Sequence, residues 1–407
     1  MKKTICIFFS SKKIDRVISY YKDYIENLPS QYETFYFINF YKIINNNKEK
    51  LNDYKKYEQE YNIKVICPET KNEFNEFAKQ RLIFAFDSLD KTISYFKVRS
   101  FINKKNIKLI FLQNIGSITN QTAFENNIST KNFLYLIKKV FVTKLYRILI
   151  FLRFFSPTYI YFECRRDFVK HFQTYEKKHK NKKSLFNYLY FENTIFVNGR
   201  SYDKFSKNTY NNSEDKIIFI DGNYKAEDIL QRENLNLEQV KINYFSKLQI
   251  LLKKISKVLN KEVIICLHPD SNPDEYKKFF DGFKLRKYST AKDIYSSFIV
   301  IFHESSSIDT AIFLKKRILS LKTNLFGKYF KNRIQKYSEA LGLMSVNLNE
   351  KFEYEKKYID EKTKVNEEKY NDFIQTYLKS DEDEDGVSKV FRILGDYFNL
   401  LDKQYEK

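Results

Sequence analysis

The sequence predicts an α/β protein of two doubly wound domains, and three observations carry that reading. Short apolar runs rich in Ile, Phe and Val alternate with longer amphipathic stretches, the pattern of βαβ units around a parallel sheet. A polar stretch over 198–216, NGRSYDKFSKNTYNNSEDK, breaks the alternation with almost no aliphatic residues, and the alternation then restarts. The strands that follow are nearly continuous hydrophobic runs, as expected where helices cover both faces of a sheet.

In order along the chain, the first domain, residues 1–200, carries strands over 4–10, 34–40, 63–67, 107–114 and 158–163, with helical stretches such as 15–27 and 75–102 between them. Its opening, MKKTICIFFSSKKID, imitates a secretion signal. The apolar run stops at Phe9, however, before Ser10, Ser11, Lys12 and Lys13, which is too short for a signal core and reads as a first strand. The second domain, 216–345, reads as strand 217–220, helix 237–259, strand 263–267, helices 274–280 and 291–298, strand 299–302, helix 306–316 and strand 318–321. A charged, helical tail occupies 346–407 and contains the acidic run 381–385, which reads as a solvated loop. Two Rossmann-like domains facing each other across such a connector make up the architecture called GT-B. That is an analogy of topology, and function has to be argued from sites.

Composition narrows the function classes. The 407 residues hold 72 Lys+Arg against 51 Asp+Glu, a net charge of +21, and the 43% hydrophobic content is too high for a disordered chain. Cys6, Cys67, Cys164 and Cys266 lie far apart in apolar settings without CxxC spacing, which argues for reduced thiols in a cytoplasmic protein rather than a zinc knuckle or a disulfide framework. No run of about 18 uncharged apolar residues reads as a membrane span. Basic charge interleaved with aromatics also fits nucleic acid, yet no RNP, KH or zinc-finger signature is present, so no nucleic-acid partner is expected.

Three motifs follow strands of the second domain. In VIICLHPD, His268 and Pro269 end a buried-type strand at the edge where open α/β sheets bind ligands. In IVIFHESSSIDTAIFLKK, His303, Glu304, Ser305, Ser306 and Ser307 lead into a helix, whose N–H groups and hydroxyls suit a phosphate; Ser306 with Asp309 also reads as a capping box. In KIIFIDGNYK, Asp221, Gly222 and Asn223 follow a strand, with Gly222 positioned for a tight turn. A weaker counterpart in the first domain, KLIFLQNIGSITNQ, places Asn114, Gly116 and Ser117 on the acceptor side. Neither GxGxxG nor GxxxxGK[ST] occurs, which argues against dinucleotide and ordinary ATPase chemistry.

The order DG, HP, HxSSS within 221–307 resembles bacterial GT-B glycosyltransferases of capsule and lipooligosaccharide assembly, notably the sialyltransferase-like families with DG, HP and SS motifs. The resemblance covers about 216–325 well and the N-terminal half in outline. It implies that His268 and Ser305, Ser306 and Ser307 contact the donor nucleotide. The family's acidic DG motif belongs to the acceptor-side domain, whereas FIDG stands at the start of the donor side here. The general base therefore has to come from elsewhere, and Glu163 in YFECRRD is the candidate, with a salt bridge to Arg165 or Arg166 as its other reading. No DxD motif or His/carboxylate cluster suggests a metal, and no cofactor is expected.

The segment 131–157, KNFLYLIKKVFVTKLYRILIFLRFFSP, has no acidic residue and carries Lys138, Lys139, Lys144 and Arg147 among its cations. It reads either as an interfacial helix on an anionic membrane or as a basic-faced core helix. The expectation is a cytoplasmic enzyme peripheral to the inner face of the membrane. It would move a sugar, CMP-activated sialic acid or a related ulosonate, from a nucleotide-sugar donor to a glycan or lipid-linked glycan acceptor without a metal. The alternatives are a CDP-activated polyol-phosphate transferase of teichoic type, with His268 and His303 as paired histidines, and a non-enzymatic basic RNA- or membrane-binding protein.

Overall fold

The structure is a computed structural model. It describes residues 2–405 apart from 11–13, 46–53, 90–92, 105, 114–140, 142–144, 146–147, 151, 153, 171–173, 175–190, 207–214, 224–229, 231–234, 270 and 304. The described residues divide into two compact units, one within 1–114, 134–198 and 380–407 and one within 199–379. Residues 346–379 thus group with the second unit and 380–407 with the first.

The first unit is a parallel sheet of β1 (Lys2–Phe9), β2 (Phe35–Asn39), β3 (Ile63–Ile66), β4 (Arg81–Asp87), β5 (Ile107–Gln113), β6 (Thr158–Glu163) and β7 (Phe191–Phe196), in the order β3-β2-β1-β4-β5-β6-β7. Strand β1 shows why its run is continuously apolar. Ile5, Ile7 and Phe9 enter one core while Cys6 and Phe8 enter the other, so both faces are dry. Strand β4 lies inside the stretch expected as one helix over 75–102. Leu82–Phe86 are all fully buried, and an uninterrupted apolar run of that kind has no period to separate strand from helix. Helices Lys71–Ala78 and Ile93–Ile102 flank it.

The helix Gly386–Tyr405 packs on this first sheet through Val390, Phe391, Leu394, Phe398 and Leu401. The acidic run before it is engaged: Glu382 and Glu384 pair with Arg392, Glu382 with Lys389, and Asp381 with Arg166.

The second unit is a parallel sheet of β8 (Lys216–Ile220), β9 (Glu262–Leu267), β10 (Lys284–Lys287), β11 (Ser297–Phe302), β12 (Arg317–Lys322) and β13 (Val346–Asn347), in the order β10-β9-β8-β11-β12-β13. Ile217 and Phe219 of β8 point into one core, Ile218 and Ile220 into the other. The long helix before β9 starts on a capping box between Asn236 and Gln239, passes through a π-turn at Lys241–Phe245 and continues as Ser246–Leu259. Both sheets are α/β and doubly wound, as the sequence predicts. In each, the first strand lies between the second and the fourth in chain order, so each has one point where the strand order reverses.

Candidate functional site

That reversal fixes where a ligand belongs: in open α/β sheets it binds outside the carboxyl ends of the strands at the switch point. In the second unit this is the edge formed by β9, β8 and β11. The register sets Ile220 opposite Cys266 and Phe219 opposite Ile301, so the turns after all three strands start at one level. With about 4.8 Å between strands they emerge within roughly 10 Å of each other. Asp221, Gly222 and Asn223 follow β8, His268 and Pro269 follow β9, and Ser305, Ser306 and Ser307 follow β11.

The first two turns are joined. Asp221 is buried, and its Oδ2 lies 3.2 Å from the Ser271 hydroxyl, which also sits 3.2 Å from Asn223 Oδ1; Tyr276 donates to the same Asn223 oxygen at 3.0 Å. The Ser271 amide donates to the His268 carbonyl at 2.9 Å, so the hydroxyl that meets Asp221 belongs to the turn that carries His268. Burial is the chief cause that pushes the Asp221 carboxyl up to about 6, against opposing hydrogen bonds from Asn223, Tyr276, His268 and Ser271. The left-handed residue of this turn is Asn223, at φ 56°, rather than Gly222. Asn tolerates that region through its short polar side chain. His268 is half-buried and Pro269 exposed at the rim.

The serine turn is a local ST motif. Ser305 Oγ accepts the Ser307 amide at 3.2 Å, and Ser307 stands at the N-cap of helix Ile308–Phe313 without a side-chain cap bond. Ser306 is exposed, Ser305 and Ser307 half-buried. Asp309 does not complete the expected capping box. It is 1% exposed, neither carboxyl oxygen has a hydrogen-bond partner, and burial raises its pKa well above the usual carboxylate range, so it is held as the neutral acid.

Two expected site residues are corrected. His303 is 1% exposed among Phe219, Tyr244 and Phe326, with Nδ1 2.8 Å from the Leu321 carbonyl. Burial lowers its pKa to about 3, leaving a neutral core imidazole in place of a donor-binding group. Glu163, the expected base, is fully buried and saturated. Both its oxygens bind Arg165, at 3.0 and 2.7 Å, and it also accepts from the Cys164 and Arg165 amides and the Tyr161 hydroxyl. A carboxylate with its lone pairs so committed has none left for a substrate proton. Glu304, Asn114, Gly116, Ser117, Lys138, Lys139, Lys144 and Arg147 lie outside the described residues.

The structure also brings forward residues that sequence reasoning missed. Asp87 ends β4 at the switch point of the first sheet, paired in register with Phe8 of β1. It is half-buried; its Oδ2 accepts from the Tyr95 hydroxyl at 2.6 Å and Oδ1 from the Leu89 amide at 3.2 Å. Recognising RLIFAFD as a strand would have found it. Tyr288, 76% exposed with φ 62°, stands just past β10 with its hydroxyl 3.4 Å from the Pro269 carbonyl. A large exposed ring in left-handed backbone beside the His268 turn offers a stacking face. Among the described residues no group of three His, Cys, Asp or Glu comes together to hold a metal, and no helix is long and apolar enough to cross a membrane.

No protein-family model matches the chain, and no curated protein does. Solved structures similar to it include a Staphylococcus aureus MnaA–UDP complex (12% identity, 98% of each chain, TM-score 0.48) and the wall teichoic acid polymerase TagF (13%, 98% of this chain and 90% of that one, 0.49). A UDP-GlcNAc 2-epimerase from Methanocaldococcus jannaschii is a third (12%, 97% and 99%, 0.48). At these identities and scores the functional reading rests on the chain's own residues.

Proposed function

We propose that the protein is a glycosyltransferase that moves a sugar from a nucleotide donor, with CMP-activated sialic acid or a related ulosonate favoured, onto a bacterial surface-glycan acceptor at the membrane. The observation that carries the reading is the convergence of the Asp221, His268 and Ser305–Ser307 turns at the strand-order reversal of the second sheet. Ser306 and Ser307 hydroxyls and the His268 imidazole hold the leaving phosphate and stabilise the charge that builds on it. Asp221 and Ser271 fix the position of the His268 turn. On the acceptor side Asp87, in place of Glu163, is the carboxylate that takes the proton of an acceptor hydroxyl.

The polyol-phosphate alternative drew on His268 and His303 as a pair, and the burial of His303 leaves it with one histidine. A calorimetric panel of CMP, CDP, UDP and GDP tests the proposal. Saturable binding of one nucleotide, lost in His268→Ala and unchanged by EDTA, is the expected result. Indifference to all four removes the donor site.

A further inference from the structure

At the opposite pole of the first sheet, the amino-terminal ends of β5 and β6, lies a cavity of about 260 Å³ whose wall includes Arg99, Asn103, Lys104, Lys108, Tyr159 and Glu192. Lys108 is the second residue of β5 and Tyr159 the second of β6, whereas Gln113 and Glu163 end those strands. At about 3.3 Å per residue the cavity is therefore on the order of 15 Å from the ligand-binding edge of its own sheet. It is a separate site.

Its wall is cationic: three bases against one acid. Arg99 is 1% exposed, built in rather than displayed. Its guanidinium donates to the Ser156 carbonyl and lies 5.9 Å from the Tyr95 ring and 5.8 Å from that of Phe155. The Asn103 side chain ties the loop over the cavity in place, donating to the Phe154 carbonyl at 2.7 Å and accepting the Ser156 amide at 2.6 Å. That same loop exposes two large apolar side chains, Leu152 at 54% and Phe154 at 63%. A guanidinium and two ammonium groups around a small cavity recognise a phosphate. Apolar side chains left in water beside it have a use if the phosphate comes attached to a hydrocarbon phase.

We propose that this cavity binds the headgroup phosphate of an anionic phospholipid, with Leu152 and Phe154 entering the acyl boundary beside it. The choice of occupant rests on the membrane part of the reading above; the nucleotide site is independent of it. The phosphate sits against Arg99, Lys104 and Lys108, and Leu152 and Phe154 lie at the bilayer surface.

The test is co-sedimentation of the full chain with phosphatidylcholine vesicles with and without phosphatidylglycerol. Since each cation near such a surface contributes about 1 kcal/mol, Lys104→Glu/Lys108→Glu should reduce partitioning onto phosphatidylglycerol vesicles by roughly tenfold or more. Leu152→Ser/Phe154→Ser should weaken it as well. Lys356→Glu/Lys357→Glu, an equal charge change on exposed lysines of the second unit, should leave binding close to wild type. Equal losses in the cavity and control variants, or no loss in the cavity variant, overturn the proposal. So does saturable calorimetric binding of free glycerol phosphate that phosphatidylglycerol vesicles fail to displace, which would make this a metabolite pocket. Nucleotide titration of the same variants keeps the two readings apart, since cavity variants should retain wild-type nucleotide affinity.

Discussion

The Ser271 hydroxyl lies 3.2 Å from Asp221 Oδ2, which fastens the loop after β9 to the turn after β8 and fixes the base of His268. The relationship has a measurable electrostatic signature because Asp221 is buried. In the fold it keeps its proton up to about pH 6, while an unfolded chain releases it near 3.8. The folded state binds more protons between those values, so stability falls as pH rises from about 4 to about 6. The displacement corresponds to on the order of 3 kcal/mol.

Asp221→Asn should remove that slope. Urea unfolding of both proteins at a series of pH values should show the variant gaining on wild type from pH 4 to 6 and holding its advantage above. A difference that does not depend on pH would mean that Asp221 is not buried as the neutral acid.

His303 predicts the opposite slope in an overlapping window. Its folded pKa is lowered to about 3 from 6.5, so the unfolded chain takes up a proton that the fold refuses. Its contribution is present above pH 6.5 and is lost as pH falls from there toward 3. His303→Gln should therefore flatten acid destabilisation and leave nucleotide affinity unchanged. A fall in affinity without a fall in stability would return His303 to the binding site.

His303 also shows what the sequence disclosed and what it hid. The DG, HP and SSS turns were legible because each ends an apolar run with residues that stop a strand. The direction of the His303 side chain was legible too: 299, 301 and 303 alternate onto one face, and Ile299 and Ile301 belong to the core that holds Phe219 and Tyr244. Grouping His303 with the phosphate-suited turn overlooks this alternation, which carries it into the core. Strand β4 was hidden for a different reason: Leu82–Phe86 are buried on both faces, and only length and flanking breaks separate such a run from a helix. Asp87 was lost with it. The joining of Asp221 to Ser271, 50 positions apart, is set by strand pairing and has no local signal.

Glu163 and Arg165 form a buried pair, and the cost of breaking it should exceed the worth of having it. Glu163→Gln leaves Arg165 uncompensated and should destabilise the fold by about 3–5 kcal/mol, whereas replacing both residues with apolar ones of similar size should recover most of the loss. Thermal unfolding of the single and double variants measures this. A single variant of normal stability and absent turnover would restore Glu163 as the base.

The serine turn separates capping from ligand binding. Ser307 makes no side-chain cap bond and Ser306 is exposed, so alanine at either position should cost little stability. If their hydroxyls hold a phosphate, each lost hydrogen bond to the charged group is worth about 1.5–3 kcal/mol, and at least one variant should bind nucleotide roughly tenfold more weakly. Wild-type affinity in both would leave the turn as local structure.

In the proposed reaction Asp87 is the general base. Its carboxylate ends β4 where the first sheet reverses, held by Tyr95 through one oxygen and the Leu89 amide through the other, which orients it while leaving it half-exposed. Asp87→Asn keeps an oxygen to accept the Leu89 amide, with the Tyr95 hydroxyl turned to accept from the new NH2 group, and removes the capacity to take a proton, so kcat should fall by about 10²- to 10⁴-fold with KM for the donor little changed. Tyr95→Phe should have a smaller effect, because it removes one of the two hydrogen bonds that orient the carboxylate and leaves the carboxylate itself in place. If Asp87→Asn turns over at the wild-type rate, another group deprotonates the acceptor hydroxyl and Asp87 has no part in the chemistry.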